Sequence, residues 1–494
     1  MPSTDHPPTR RGLAPVLISA GLLTALISSL GAPMVPALAE AHGVSVSAAQ
    51  WSLTITMLVG AVATPVMGRL GDGPHRRTVF LCGLLLVLAG SVLPALPLGF
   101  PGLLTGRALQ GVGIGLTPLA MSVARDALAP RRARSTLATL SVTAASGVGL
   151  GYPVTGWLAD RLGAQAAFWP AAIATAVAFV AAYLVLPPPP PRPSHRLDLA
   201  GAALLATGTT GLLLTLTQSR SWGRLSPAAL AVGAGSALLL LLWGRRTLRR
   251  DHPLVDLRLL KDRSVLVADL NGVLSGVALS MTFSLVTRYV LTPVETGYGF
   301  GASVLTAGLM LVPFAVGSLA AGQATRVAPR CLPLDRLLPA GCLLSLTGTV
   351  LFVMERNTLW QVVAAMAVIG LGTGIAMAVM PAMIVRAVAA DGTTSALGVN
   401  QVLKYFGYAL GSALSAVLLE RGASSDGVPT DAAYTVAGLT ACAMWAVSAL
   451  AGPLLVRSPS PSGAGGPEPQ DPGRATRTPG PHPLSAPTVH PPKN

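Results

Sequence analysis

The stretch Gly68-Arg-Leu-Gly-Asp-Gly-Pro-His-Arg-Arg77 decides the fold of this 494-residue chain. It is a short, strongly charged segment between two long apolar windows, at about 48–67 and 78–98. Each window has about the 20 residues that a helix needs to cross a hydrocarbon core of ~30 Å. One carboxylate and three arginines would be costly in a protein core, because each buried charge needs a partner. The stretch is therefore predicted to lie at a membrane surface, between two transmembrane helices.

The composition of the whole chain agrees with a membrane protein. It is 51% hydrophobic and only 11% charged, with a mean hydropathy of +0.61, whereas soluble globular domains carry about 25% charged residues. The four cysteines lie in or beside apolar segments without Cys-x-x-Cys spacing, so neither a disulfide framework nor a metal site is expected. We predict an all-α polytopic membrane protein with no cofactor and no bound metal.

The net charge of +15 does not indicate a nucleic-acid-binding protein, because the basic residues follow the predicted topology. Of the 34 Lys and Arg, 26 fall in loops and termini of one side, six in loops of the other and two inside spans. Basic residues concentrate on the cytoplasmic side of membrane proteins. The asymmetry therefore predicts a multi-pass protein of the cell membrane with both termini in the cytoplasm.

Fourteen apolar windows of sufficient length occur along the chain, arranged as six, two and six. The first, at 13–38, is longer than the apolar core of a signal peptide and lacks an Ala-x-Ala cleavage site, so we predict a true span. Five consecutive prolines, Pro187–Pro191, cannot continue a helix and mark a linker. The predicted regions are a cytoplasmic N-terminus at 1–12, a six-helix bundle at 13–186, a linker with two extra spans at 187–263, a second six-helix bundle at 264–456 and a disordered cytoplasmic tail at 457–494.

The two six-helix blocks are close in length and suggest a parallel repeat. Many transporters build a central site between two such halves. The counterpart of the charged stretch in the second half is Gly322-Gln-Ala-Thr-Arg326-Val-Ala-Pro-Arg330, which keeps the glycine and the basic residues but has no acid. Only the first copy therefore carries the full charge pattern.

The charged stretch resembles the signature between spans two and three of the major facilitator superfamily. The match rests on Gly68, Asp72, Arg76 and Arg77, although the arginine and glycine that usually follow the acid are a glycine and a histidine here. In that family the loop is a cytoplasmic latch that favours the outward-open state. The resemblance implies that Asp72 is its acid, with a neighbouring arginine such as Arg125. The alternative is an ordinary charged loop.

The fourth predicted span carries a second match. Arg107-Ala-Leu-Gln110-Gly-Val-Gly113 resembles the superfamily's Arg-x-x-Gln-Gly-x-Gly signature, within an otherwise uncharged segment. A charge at such depth costs at least ~2.5–3.5 kcal/mol on insertion scales, so it normally faces a cavity or a partner. The resemblance implies a role for Arg107 in proton coupling, and Gln110 is a candidate for the substrate cavity. The alternative is a structural arginine bound to backbone carbonyls.

The fifth predicted span reads Gly147-Val-Gly-Leu-Gly151-Tyr-Pro153-Val-Thr-Gly156-Trp157. It resembles a signature found mainly in antiporters of the superfamily, a glycine series ending in Gly-Pro-x-x-Gly-Gly, with tyrosine and tryptophan replacing two of the glycines. Small residues let helices approach closely, and a proline bends a helix. Gly147, Gly151, Pro153 and Gly156 are therefore candidates for a hinge and a seal. Generic helix packing is the alternative.

Together these motifs, over about residues 12–456, resemble the fourteen-span drug:proton antiporters. The resemblance implies a major facilitator fold with 14 transmembrane helices arranged 6+2+6, which works by alternating access. Many relatives carry an Asp in the first span, whereas residues 26–36 of this chain contain no acid. The resemblance therefore does not extend to cation recognition by a first-span carboxylate.

Further charges fall inside predicted spans of the second half. Asp269 lies about five residues, roughly 8 Å, from the cytoplasmic end of the ninth span. It is the candidate proton carrier, because intramembrane acids are functional candidates, unless it lies in the wet headgroup zone. Asn400, Gln401, Lys404 and Tyr408 share one helical face and are predicted to line the central cavity. Lys404 is predicted either to pair with Asp269 or to meet an anionic or polar part of the substrate.

The predicted function is proton-coupled export of small hydrophobic or amphipathic compounds, such as drugs or antibiotics. The expected partners are the small-molecule substrate, protons and the lipid bilayer, without nucleic acid, for a monomer. The alternatives are a dedicated exporter of one endogenous metabolite, a facilitator or proton symporter that imports nutrients, and a non-transporting scaffold or sensor. A nucleotide-driven motor is not expected, because the chain has no P-loop. An enzyme is not expected either, because the seven histidines fall in predicted loops or tails without a His-Glu-x-x-His motif, whereas a membrane-embedded enzyme needs catalytic groups inside its spans.

Overall fold

Hydrophobic windows of membrane length give helices throughout the chain. The computed structural model describes residues 12–29, 35–44, 46–71, 73–163, 165–188, 198–222, 226–250, 257–327, 334–388, 392–424 and 428–455. These ranges contain no strand, only an isolated bridge between Ala423 and Pro429. They all belong to one unit, Met1–Val456. The predicted tail at 457–494 and most of the proline linker lie outside the described residues.

Seventeen α-helices occur in the described ranges, some of them extended by short 3-10 turns. In chain order they are α1 Leu13–Ser29, α2 Val35–His42, α3 Val46–Gly71, α4 Arg76–Val92, α5 Gly99–Gly111, α6 Leu116–Ala127, α7 Pro130–Leu162, α8 Trp169–Val185, α9 Leu199–Trp222, α10 Pro227–Leu248, α11 Arg263–Leu291, α12 Val304–Leu309, α13 Val312–Val327, α14 Leu334–Met354, α15 Leu359–Ala387, α16 Thr393–Arg421 and α17 Asp431–Leu455. Ten helical segments of the described chain are long and apolar enough to cross a membrane. The prediction of an all-helical chain is confirmed, and the number of fourteen spans stays a prediction.

Three predicted windows are divided between two helices. The window at 13–38 is shared by α1 and the short α2, and the sequence between them contains Pro33. The fourth window passes from α5 to α6 through the 3-10 turn Val112–Gly115. The tenth begins as α12 and continues as α13, whose second residue is Pro313. Proline removes a backbone donor and glycine weakens a helix, which accounts for the two breaks inside the described ranges, at 112–115 and at 310–311.

The helices before α9 and those after α10 form two groups that touch along two lines. On one side α3 packs against α16, and on the other α7 packs against α13 and α15. The helix α9 lies along α3 and α16, where Leu214 packs near Trp51 and Ala409. The helix α10 packs mainly on α9 and leaves large leucines exposed on its other face, among them Leu230 and Leu241. Lipid suits such a face.

The pair formed by α11 and α16 positions the polar residues of the second group. A Cβ at Gly407 would lie 2.4 Å from a carbonyl oxygen of α11, and one at Gly411 would lie 2.2 Å from another. From the other side, a Cβ at Gly276 would lie 2.7 Å from a carbonyl oxygen of α16. No side chain fits at these distances, so the glycines let the two backbones meet. We call this contact the glycine seam.

Candidate functional site

Asp269 and Asn400 touch across the glycine seam. The Asn400 amide nitrogen Nδ2 donates to Asp269 Oδ1 at 3.0 Å and to the carbonyl of Ala268 at 3.1 Å. Asp269 is 4% exposed and Asn400 1%. A carboxylate removed from water needs such a donor, because burial without one leaves its charge uncompensated. The structure thus places the predicted proton carrier inside the helix pair, beside a predicted cavity residue.

Lys404 lies one turn further along α16 than Asn400. It is 3% exposed, and the charge of Asp269 attracts its ammonium group. In the described part of the chain, no carboxylate lies within 4.0 Å of Lys404 Nζ and the group makes no hydrogen bond. Its stem packs on α11, since a Cβ at Gly272 would lie 3.3 Å from Lys404 Cγ. The predicted pair therefore faces one another across the seam without forming an ion pair.

The polar face of α16 continues beyond Lys404. Gln401 is buried, and Tyr405 and Tyr408 follow on the same side of the helix. The two tyrosine rings meet edge to face, with centroids 5.7 Å apart and planes at 85°. Aromatic rings in this arrangement offer both apolar faces and a hydroxyl. The face can therefore hold the apolar body of a ligand as well as its polar group.

Sequence analysis missed a second buried polar cluster on α11. Asn271 Oδ1 accepts from Cys342 Sγ at 3.4 Å and from the hydroxyl of Ser448. Asn271 Nδ2 donates to the carbonyl of Val267 at 3.0 Å. The signal that could have found this cluster is the amide itself, because a buried amide in an apolar span must find partners. The cluster ties α11 to α14 and α17.

Arg107 is fully buried between α1, α3 and α5. Its Nη1 donates to the Ile27 carbonyl at 3.0 Å and to Gln110 Oε1 at 2.7 Å, and its Nε donates to the Ser52 carbonyl at 3.2 Å. Gln110 in turn donates to Ser91 Oγ at 3.0 Å. These bonds match the structural alternative, yet Arg107 Nη2 and Ser52 Oγ have no hydrogen-bond partner among the residues that the structure describes. Buried polar atoms rarely stay unpaired, so they mark a place for a further acceptor or water.

The charged stretch is held by an ion pair within the first group of helices. Arg76 Nη1 donates to Asp126 Oδ2 at 2.7 Å. Arg77 Nη2 donates to the carbonyl of Tyr183 at 2.8 Å, and its guanidinium lies 5.6 Å from the centre of that ring. Asp72 lies outside the described residues, so its role as the acid of the latch stays a prediction. Asp126, which was not predicted, is the acid that the structure pairs with the stretch.

At this end of the molecule the two groups of helices touch. Arg125 Nη2 donates at 3.1 Å to the carbonyl of Val388, which caps the C-terminal end of α15. A positive charge is favourable there, because the carbonyl end of a helix carries partial negative charge. A Cβ at Gly68 would lie 3.3 Å from the backbone of Ser395, near the start of α16. The two groups are therefore closed against each other where α3 meets α4 and α15 meets α16.

The glycines predicted to form a hinge all lie in α7. A Cβ at Gly147 would lie 2.3 Å from the Cβ of Ala25 in α1, so only glycine fits there. Gly151 is buried, and Pro153 and Gly156 lie within the same helix, which continues past them. Gly147 therefore allows close packing within the first group of helices, and a hinge and a seal at the four predicted positions stay predictions.

Two serines of α7 make hydrogen bonds to the other group of helices. Ser146 Oγ lies 2.5 Å from Ser318 Oγ of α13. Five residues earlier in the helix, the hydroxyl of Ser141 donates to the carbonyl of Met377 in α15. Sequence analysis did not single out these serines, because hydroxyls are common in membrane helices and nothing in the pattern shows which neighbour they face.

Comparison with known proteins agrees with this architecture. The sequence matches the Major Facilitator Superfamily over residues 17–411. The multidrug efflux pump LfrA of Mycolicibacterium smegmatis is 28% identical over 421 residues, 83% of this chain and 81% of LfrA. A probable actinorhodin transporter of Streptomyces coelicolor is 27% identical over 419 residues, 82% of this chain and 71% of the relative. The chain spans only 54% of the length of the first curated relatives that it matches.

A solved structure shares the fold. The human organic anion transporter MFSD10 (TETRAN) superposes with a TM-score of 0.64 at 18% identity, covering 90% of this chain and 100% of that chain. The likeness concerns the path of the helices. The predicted major facilitator fold is thereby confirmed.

Proposed function

We propose that this chain, which belongs to the Major Facilitator Superfamily, is a proton-coupled antiporter that exports small hydrophobic or amphipathic compounds by alternating access. The observation that carries the proposal is the buried carboxylate of Asp269 facing the buried amine of Lys404 across two membrane-length helices. Charges at such depth are expensive and are kept where a protein moves protons or charged ligands. The relatedness to a multidrug efflux pump supports export over uptake.

In this proposal the chain has fourteen spans arranged as six, two and six, with α9 and α10 as the two extra spans. It is a monomer in the cell membrane, and both termini face the cytoplasm. The end at which Arg76, Arg125 and Val388 lie is then the cytoplasmic end. The contact between the two groups of helices at this end supports a conformation that is closed toward the cytoplasm.

Asp269 takes the role of proton carrier. When it is ionised, it accepts the hydrogen bond from Asn400 and attracts Lys404. Protonation removes the negative charge of the site, so both contacts weaken and the charge that a substrate meets becomes more positive. Proton and substrate thus act on the same three side chains, and occupancy by one changes the affinity for the other.

Arg107 and the charged stretch take supporting roles. Arg107 ties α1 and α3 to α5 through the carbonyls of Ile27 in α1 and Ser52 in α3, so a movement of either helix changes its contacts. The latch at the cytoplasmic end is formed by the ion pair of Arg76 with Asp126, together with Asp72, which is four residues before Arg76 in the sequence. Opening toward the cytoplasm requires Arg125 to release the carbonyl of Val388.

The second candidate is a dedicated exporter of one endogenous metabolite. The similarity to a probable actinorhodin transporter favours it, because that relative is named for a single compound. Transport of one compound from a chemically broad panel would support this candidate, whereas transport of many unrelated compounds would support polyspecific efflux.

The test is proton release from inverted membrane vesicles that carry a pH gradient, acid inside. Addition of a substrate is expected to dissipate the gradient in vesicles with the wild-type protein but not with Asp269→Asn. The matched control is Glu295→Gln, which neutralises an exposed acid outside the helix pair and is expected to behave as wild type. A panel of lipophilic cations, zwitterions and anions that moves no protons would contradict antiport, and uptake along the proton gradient would indicate symport.

A further inference from the structure

Lys404 is a buried cation that the structure leaves without an ion-pair partner. In the part of the chain that the structure describes, Nζ has no carboxylate within 4.0 Å and no hydrogen bond, although the residue is 3% exposed. A buried ammonium is strongly unfavourable unless a close opposite charge and hydrogen bonds compensate it. The amine takes no acceptor from the described residues and is therefore free to donate to a ligand or to water.

The glycine seam explains why Asp269 does not supply it. A Cβ at Gly272 would lie 3.1 Å from Asn400 Nδ2 and 3.3 Å from Lys404 Cγ, so both side chains pack against the bare backbone of α11. Asn400 occupies the place next to the carboxylate and donates to Asp269 Oδ1 at 3.0 Å. Lys404 lies one turn further on. The carboxylate attracts the amine by its charge, but its hydrogen-bond donor is the amide of Asn400 and not the amine of Lys404.

The balance of buried charge is positive. Away from the helix ends, the buried side chains of the described residues that carry a charge at neutral pH are Asp269, Lys404 and Arg107. Arg107 is bound to carbonyls and to an amide, and among the described residues it has no carboxylate within ion-pair distance and no partner for its Nη2. A low-dielectric interior strengthens the attraction of each buried cation for an anion that comes close to it.

We infer that the substrate site takes lipophilic organic anions, in which a carboxylate or an ionised phenol pairs with Lys404 Nζ. Gln401 lies on the same face of α16 as a neutral hydrogen-bonding group, and the rings of Tyr405 and Tyr408 provide surface for the apolar body. The inference rests on the transport part of the proposed function, because it names the substrate class of the same site. Protonation of Asp269 makes that site more positive and strengthens the binding of an anion, so the inference does not depend on exchange of the substrate for protons. An anionic lipid headgroup shares this chemistry, and the experiment separates it from a free substrate.

The experiment uses three fluorescent probes with one apolar body: 1-pyrenebutyrate, its methyl ester and a pyrenylbutyl-trimethylammonium cation. Binding is measured by fluorescence anisotropy on the full chain in phosphatidylcholine nanodiscs, with empty nanodiscs subtracted. Wild type is expected to prefer the anion. Lys404→Met is expected to weaken anion binding by about 10- to 100-fold, the usual weight of a hydrogen bond to a charged group, and Lys404→Arg to retain most of it.

The methyl ester is the internal control, because equal binding to all three proteins shows that the variants are folded. Equal affinity of pyrenebutyrate for wild type and Lys404→Met would overturn the inference. A wild-type protein that binds the cation more tightly than the anion would overturn it as well. Nanodiscs that contain phosphatidylglycerol form a further arm. Pyrenebutyrate binding that persists there supports a substrate site, and binding that disappears assigns the anion site to lipid and overturns the inference.

The outcomes are distinguishable from those of the proton assay. Lys404-dependent binding of pyrenebutyrate without any proton release would contradict antiport and leave this inference standing. Proton release driven by a lipophilic cation, together with cation binding that does not depend on Lys404, would support antiport and overturn this inference.

Discussion

Replacing Gly407 with alanine is expected to separate α16 from α11 and to disable the site. A Cβ at this position would lie 2.4 Å from the carbonyl oxygen of Val273, whereas ordinary contacts begin at 3.4 Å. The obstacle is backbone, which cannot rotate aside, so the two helices must move apart by about 1 Å. Overpacking of this kind typically costs ~1–3 kcal/mol of stability.

The same movement reaches the polar contact of the seam. The hydrogen bond from Asn400 Nδ2 to Asp269 Oδ1 is 3.0 Å long, and an additional ångström takes it beyond hydrogen-bonding distance. A buried carboxylate that loses a donor is destabilised by ~1.5–3 kcal/mol. We therefore expect Gly407→Ala to lower both the unfolding temperature and the transport activity per folded molecule.

Two other glycines provide matched controls. Gly398 lies in the same helix, but the nearest atom to a Cβ there is 3.6 Å away, and a Cβ at Gly235 of α10 would meet nothing within 4 Å. Alanine in a helix interior is favoured over glycine by up to ~1 kcal/mol, so both variants should unfold at the wild-type temperature or above. The assay is thermal unfolding in detergent, followed by tryptophan fluorescence. A Gly407→Ala protein that matches these controls in stability and transport would refute the idea that the glycine seam positions the site.

Two further predictions concern other contacts. The hydroxyl oxygens of Ser146 and Ser318 lie 2.5 Å apart, so cysteines at these two positions should cross-link under mild oxidation. The cross-link should stop export until a reductant is added. Full cross-linking with normal export would contradict relative movement of the two helix groups at this contact. The hydrogen bond from Arg246 holds the pKa of Asp198 below its usual value. The stabilisation of α9 by this pair is therefore fully present above pH ~4, the ordinary pKa of an aspartate. It is lost as the pH falls through the lowered pKa of the folded protein. Hydrogen exchange in the first turn of α9 measures this, and Asp198→Asn should show no such acid step.

The sequence was sufficient to predict most helices, because a membrane helix must satisfy its own backbone hydrogen bonds and therefore needs a long apolar window. It also singled out Asp269, Asn400 and Lys404, because polar residues in apolar windows are few. The structure places these three on the facing sides of two helices. Hydropathy did not resolve the internal breaks, because a window average conceals a single residue such as Pro313.

Pairing between distant positions could not be predicted. Asp126 holds Arg76 across 50 residues of sequence, and no local rule connects the two. Part of the glycine seam could be recognised in the sequence. Two pairs of glycines have the small-xxx-small spacing of close helix pairs: Gly272 and Gly276 in α11, and Gly407 and Gly411 in α16. That spacing predicts a close neighbour without identifying it, because several helices of the chain carry spaced glycines.

The register of the glycine seam determines what the site can bind. Asn400 lies at the same height along the helix pair as Asp269, and Lys404 lies at the same height as Gly272. The lysine is therefore one helical turn beyond the acid. A shift by one turn, ~5.4 Å, would bring the ammonium to the carboxylate and neutralise both groups within the protein. Because the glycines let the backbones meet at fixed points, they oppose that shift. The seam therefore keeps a buried amine available for a ligand, and an anion site between these helices depends on this register as much as on the lysine.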